Sequence, residues 1–208
     1  MGETVIVEKE LGLYVSASGE MDAECELLGQ LLAGMTRAAK WVIKRTPGHH
    51  EPGNPDMAAL HASSFYLILL GMDITAPVGV EWLATQKGTV AIFAYRKTSV
   101  PSSPAASVFA RQSGLTWEPY RTPQEFVRHF ERALITRLIE GTPGYGLDLG
   151  DIEELAARLK ALEKEDHRPE GEERRGAGRG GVILPQRPPG PPTRSGDQAN
   201  DAKPAQAG

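Results

Sequence analysis

One cysteine, Cys25, stands in 208 residues, so no intramolecular disulfide framework holds this chain together. Long apolar runs are missing too. Even residues 65–72 are cut short by Asp73, far from the roughly 20 apolar residues that a membrane-spanning helix needs. Positive charge is not in surplus: the formal net charge is -4, which removes the general attraction for nucleic acid or an anionic membrane. There is no Walker loop, no nucleophile elbow and no Gly-x-Gly-x-x-Gly dinucleotide turn. Nor does the N-terminus carry a basic start followed by an apolar run, which with the lone cysteine predicts a cytoplasmic address. What remains is a chain with 40% hydrophobic and 24% charged residues, enough for one compact domain with extensions.

Composition divides the chain near residue 166. From Asp166 onward there is no aromatic residue and Pro and Gly dominate, so residues 166–208 are expected to be a disordered tail with too little apolar surface to offset the entropy of ordering. Its arginine–glycine segment, residues 174–181, has the composition of an RNA contact, and its prolines at 188–192 suit an extended adaptor ligand. A solvated terminus accounts for both. Ahead of the tail, residues 141–165 read as a glycine-rich hinge and a helix whose Ile152, Leu155, Leu159 and Leu162 form a short seam. That seam packs on its own domain or pairs in a dimer; short helices rely on tertiary contacts, which favours the first.

Residues 1–140 alternate strands and helices. Strands are expected over residues 11–16, 41–43, 65–70, 89–95 and near Leu115 to Trp117. Met21, Cys25, Leu28, Leu32 and Met35 recur at helical spacing, Asp56 suits the cap of a short helix, and a weaker helix falls over residues 105–112. Thr122, Pro123 and Glu125 form a capping box for a helix with Phe126, Phe130, Ala133, Leu134 and Leu138 on its core face. Such alternation predicts an α/β fold: a flavodoxin-like three-layer domain with a five-stranded parallel sheet in the order 2-1-3-4-5.

In that order the first and third strands are neighbours whose helices leave on opposite faces, opening a crevice at their carboxyl ends. Ser16 ends the first strand, with Ser18 and Gly19 in the loop after it; Gly71 and Asp73 lie in the loop after the third. A short helix opening with Gly79 and Glu81 follows, which puts a carboxylate beside the crevice. A glutamate in the first turn of a helix is also favoured by the macrodipole alone, worth about 0.3–1 kcal/mol, with no chemistry attached.

The run from Tyr14 through Ser16, Ser18, Gly19 and the acids Glu20, Asp22 and Glu24 resembles the opening of a TIR-related family of unknown function found at the front of signalling NTPases. Gly79, Glu81 and Ala84, followed by Gly88 and a strand, are similar to that family's glycine, glutamate and alanine pattern, though the alanine falls one residue early against its Gly-x-Glu-x-x-x-Ala form; the pattern is shared loosely with TIR-domain NAD hydrolases and nucleoside 2-deoxyribosyltransferases. The resemblance covers about residues 10–140. It implies cleavage of an N-glycosidic bond, with NAD or a nucleoside as substrate, no resident cofactor, and a role in defence signalling. Glu81 would stabilise the oxocarbenium-like transition state, Asp73 would assist at the ribose, and Ser16 and Ser18 would hold hydroxyl or phosphate groups. The alternative it implies is a non-catalytic interaction or nucleotide-sensing module, acting through self-association or a separately encoded signalling partner.

Other residues point elsewhere less sharply. The charges of Glu20, Asp22 and Glu24 are expected to repel an anion at the start of the first helix, which would favour a neutral nucleoside. His49, His50, Glu51, Asp56 and His61 match no closed zinc spacing, so no metal is expected. Cys25 falls on a core stripe and reads as a small hydrophobe. Trp82, next to Glu81, is placed either to stack on a base or to pack on the sheet.

Overall fold

The computed structural model describes residues 9–35, 39–47, 54–141 and 145–166. The predicted tail after Asp166, the N-terminal residues 1–8 and the histidine-bearing loop with His49, His50 and Glu51 lie outside the described residues. In chain order the elements are β1 (Lys9–Ala17), a 3-10 turn (Gly19–Met21), α1 (Asp22–Ala33), β2 (Ala39–Arg45), α2 (Met57–Ala62), β3 (Phe65–Leu70), α3 (Ala76–Thr85), β4 (Ala91–Lys97), α4 (Pro104–Gln112), β5 (Glu118–Tyr120), α5 (Pro123–Glu140) and α6 (Leu149–Asp166). The five strands run parallel in the order β2-β1-β3-β4-β5. This is the flavodoxin-like arrangement expected.

Both faces of the sheet are covered, which is why β3 is apolar at every position and buried throughout. On one face Leu11, Leu13, Val15 and Ala17 of β1 join Phe65, Leu67 and Leu69 of β3 beneath α1, α5 and α6. The intervening residues point the other way, so Tyr14, Tyr66 and Ile68 form a second, smaller core with Val78 and Trp82 of α3 and Leu60 of α2. Tyr14 pairs in register with Tyr66, and Ser16 with Ile68. Leu155 of α6 is buried in the first core with Leu159 and Leu162 packed against it, and Arg158 joins Glu131 of α5 and donates to the Gly34 carbonyl at 3.0 Å. The seam therefore docks on its own domain.

Two elements start where the residues did not suggest. The fifth strand begins at Glu118 because the apolar pair expected to form it is used elsewhere: Leu115 and Trp117 pack into the second core, Trp117 edge-on to Phe109 with its indole N–H donating to Ala110 O at 3.0 Å. The helix expected to open with Gly79 and Glu81 begins at Ala76, with Thr75 as N-cap and Pro77 in its first turn. Glu81 is thus mid-helix, and the macrodipole gives no account of it. No helix among the described residues is long and apolar enough to cross a membrane.

The α5 cap is local chemistry. Thr122 Oγ1 accepts from Glu125 N at 3.2 Å, and the Glu125 carboxylate accepts from Arg121 N at 2.7 Å. Thr122→Ala is expected to cost about 1 kcal/mol in denaturant unfolding without changing the fold. A loss under about 0.3 kcal/mol would show the cap to be idle.

Candidate functional site

Helix α3 carries Val78, Glu81, Trp82 and Thr85 on its buried stripe, so a glutamate stands in an otherwise sheet-facing row. Its carboxylate meets β1 and the end of β2. Glu81 Oε1 accepts from the Tyr14 hydroxyl at 2.7 Å, while Oε2 accepts from the Thr46 hydroxyl at 2.7 Å and from the Ser16 hydroxyl in a shorter contact. Glu81 and Ser16 are both 0% exposed. Burial pushes the Glu81 carboxyl above the usual carboxylate range, opposed by the hydrogen bonds from Ser16, Thr46 and Tyr14. The Tyr14 hydroxyl is pushed up as well, by burial first and by the neighbouring carboxylate second, so it stays a donor.

Thr46 has two bonding states. Its oxygen accepts from Ala17 N at 3.2 Å, and its one proton has a choice between Glu81 and the Val15 carbonyl at 3.3 Å. The Tyr66 hydroxyl is buried in the same cluster beside Ser16, with no partner in hydrogen-bond geometry. Among the described residues no cation bonds Glu81, and its partners are hydroxyls.

A second buried carboxylate escaped the sequence reading. Glu24, 0% exposed on α1, pairs through Oε1 with Lys97 Nζ at 2.8 Å and takes the Tyr120 hydroxyl at 3.3 Å, while its Oε2 has no partner. The signal was available: position 24 lies on the same stripe as Leu28, Leu31 and Leu32. The three acids of this segment all have partners. Asp22 Oδ1 pairs with Arg45 Nη2 at 2.6 Å, and Glu20 Oε1 accepts from Met72 N at 2.6 Å. Asp22 and Glu24 are thus ion-paired, whereas Glu20 meets only a neutral backbone donor and keeps its charge.

Of the residues expected at the crevice, the fold brings Ser16 and Glu81 into contact. Asp73 is exposed and bonded elsewhere: it accepts from Ile74 N at 2.8 Å and from the Ser103 hydroxyl at 2.5 Å, bonds that hold its carboxyl below the usual carboxylate range. Ser18 caps the 3-10 turn with no side-chain cap bond, and its hydroxyl is buried without a partner. Gly19 is exposed with open space around it, whereas Gly71 is buried against Glu20 and Met21. Trp82 stacks on Tyr66 in the second core, with ring centroids 6.5 Å apart. Cys25 packs against the first core and its thiol is pushed up to about 11 by burial. Asp56 caps α2 through Ala59 N at 2.9 Å, and no group of three metal-ligating side chains occurs among the described residues.

A groove of about 570 Å³ lies away from this cluster, lined by Ile92, Phe93 and Ala94 of β4, where β5 is short, and by residues of α5. His129, Arg132 and Arg137 line it with Glu118 and Glu140. No family model, curated protein or solved structure matches the chain. The functional reading therefore rests on the geometry.

Proposed function

We propose that the chain is a TIR-like module that binds a nucleotide or nucleoside at the carboxyl ends of β1, β2 and β3 and senses it without breaking its bonds. The supporting observation is the closure around Glu81: the residue is 0% exposed, and three hydroxyls bond its two oxygens. A carboxylate with no exposed surface touches no ribose and stabilises no developing cation there. In this reading Glu81 pins α3 to β1 and β2, and the module signals by self-association or through a separately encoded partner.

One observation favours a second reading, N-glycosidic bond cleavage with NAD the first substrate. Burial raises the Glu81 pKa and, among the described residues, no cation is bonded to it, the condition of an acid tuned for proton transfer. That chemistry requires the cluster to open and Asp73 to turn back from Ser103.

Incubation with NAD, AMP and adenosine decides between them, following released base by chromatography and binding by calorimetry. The expected result is saturable binding with no base released. Base release by the wild-type protein that disappears in Glu81→Gln would replace the sensor with the glycosidase.

A further inference from the structure

We infer that the loops following β1 and β3, together with the end of β2, form a phosphate subsite that the chain's own Glu20 fills in this conformation. The inference rests on the ligand-binding reading above and assigns it a ligand class, a nucleotide in place of a free nucleoside.

Glu20 belongs to the turn after β1, yet its carboxylate crosses to the loop after β3 and accepts from Met72 N at 2.6 Å. It rests on Gly71, where a Cβ would come within 2.2 Å of Glu20 Oε1. Only glycine leaves that approach open. A carboxylate thus sits on a backbone amide at the place where the loops of the two central strands diverge, which is where doubly wound sheets receive ligands. Its residue is exposed and makes no salt bridge among the described residues, so little besides this one bond holds it.

Two further donors stand at the neighbouring strand ends without acceptors. They are the Ser18 hydroxyl just beyond β1 and Arg45 Nε at the last position of β2. Arg45 spends Nη2 on Asp22 at 2.6 Å and on Ser18 O at 3.4 Å, leaving its Nε without an acceptor. Buried donors without partners are uncommon and cost stability, so an anion that supplies acceptors is favoured. A phosphate offers three acceptor oxygens where the Glu20 carboxylate offers two. When Glu20 swings out, Met72 N, Ser18 Oγ and Arg45 Nε are the groups that would meet it.

The test is titration of the wild-type protein and Glu20→Ala with inorganic pyrophosphate, AMP and adenosine by calorimetry. Glu20→Ala is expected to bind pyrophosphate and AMP at least about 10-fold more tightly than wild type, a change of about 1.4 kcal/mol. Adenosine affinity should not change. Adding Ser18→Ala and Arg45→Met should abolish the gain. Equal pyrophosphate affinity in wild type and Glu20→Ala overturns the subsite, as does a gain that survives the loss of Ser18 and Arg45. Should Glu20→Ala not fold, Glu20→Gln, which keeps the shape and removes the charge, is read by the same criterion with a smaller gain. The two ideas fail separately. A pyrophosphate gain with no affinity for AMP or adenosine sinks the nucleotide sensor and leaves the subsite, while AMP binding unchanged by Glu20→Ala does the reverse.

Discussion

Lys97→Met is expected to lower the free energy of unfolding by about 3–5 kcal/mol, the usual cost of stripping one partner from a buried ion pair. The ammonium group is 2.8 Å from Glu24, whose side chain has no exposed surface, while the lysine stem reaches the surface at 18% exposure. Without the lysine, Glu24 keeps only the Tyr120 hydroxyl at 3.3 Å, and that proton is shared with Met21 Sδ at 3.3 Å. A carboxylate so placed has lost its compensation but not its desolvation. Pairing Lys97→Met with Glu24→Gln removes both charges at similar volume and should recover most of the loss, since the penalty belongs to the uncompensated charge. Urea titration of wild type, the single variant and the double variant measures both quantities. A single variant within about 1 kcal/mol of wild type, or a double variant no better than the single, would show that the pair does not hold the end of β4 to α1.

Lys97 and Glu24 also show what was legible in the residues and what was not. Elements whose signal is local were readable. β3 declares itself by six apolar positions in a row, and α5 by the Thr122 cap ahead of a regular stripe. Strand order followed from the alternation of elements, because short crossovers leave few right-handed solutions. Local signals that compete were misjudged. Pro77 could close a loop or open a helix, and with Thr75 before it the helix wins. Leu115 and Trp117 have strand-like character, yet packing against α4 takes them first. The site itself was half legible. That Glu81 and Ser16 come to the same end of the sheet follows from strand, loop and helix order; their direct contact does not. That Glu81 would be sealed there does not either, because the seal is made by Tyr14 and Thr46, 67 and 35 residues away in sequence. The Glu20 carboxylate reaching Met72 is of the same kind: a contact across 52 residues with no periodic trace.

Glu81→Ala should cost at least about 3 kcal/mol, because three hydroxyls lose one shared acceptor and a buried group left unsatisfied costs about 1–3 kcal/mol. Glu81→Gln keeps the volume and one acceptor oxygen, and Ser16, Thr46 and Tyr14 can rotate to accept from its amide, so its loss is smaller. The two variants differ most usefully in their pH dependence. Burial raises the Glu81 pKa in the folded protein above its unfolded value, so folding binds the proton more tightly. The stability this contributes is fully present below the unfolded carboxylate pKa, near 4.3 in model peptides, and is lost as pH rises through the higher folded value. Wild type should therefore lose ground to Glu81→Gln as pH rises from the acid side of that window to neutrality, and the difference should level off above it. Thermal or urea unfolding of the two proteins across this range, at fixed ionic strength, gives the difference curve directly. A flat curve would mean that Glu81 titrates alike folded and unfolded. A curve of opposite slope would mean that the three hydroxyl bonds outweigh desolvation and hold an ionised carboxylate, leaving the cluster a structural anchor with no proton to exchange.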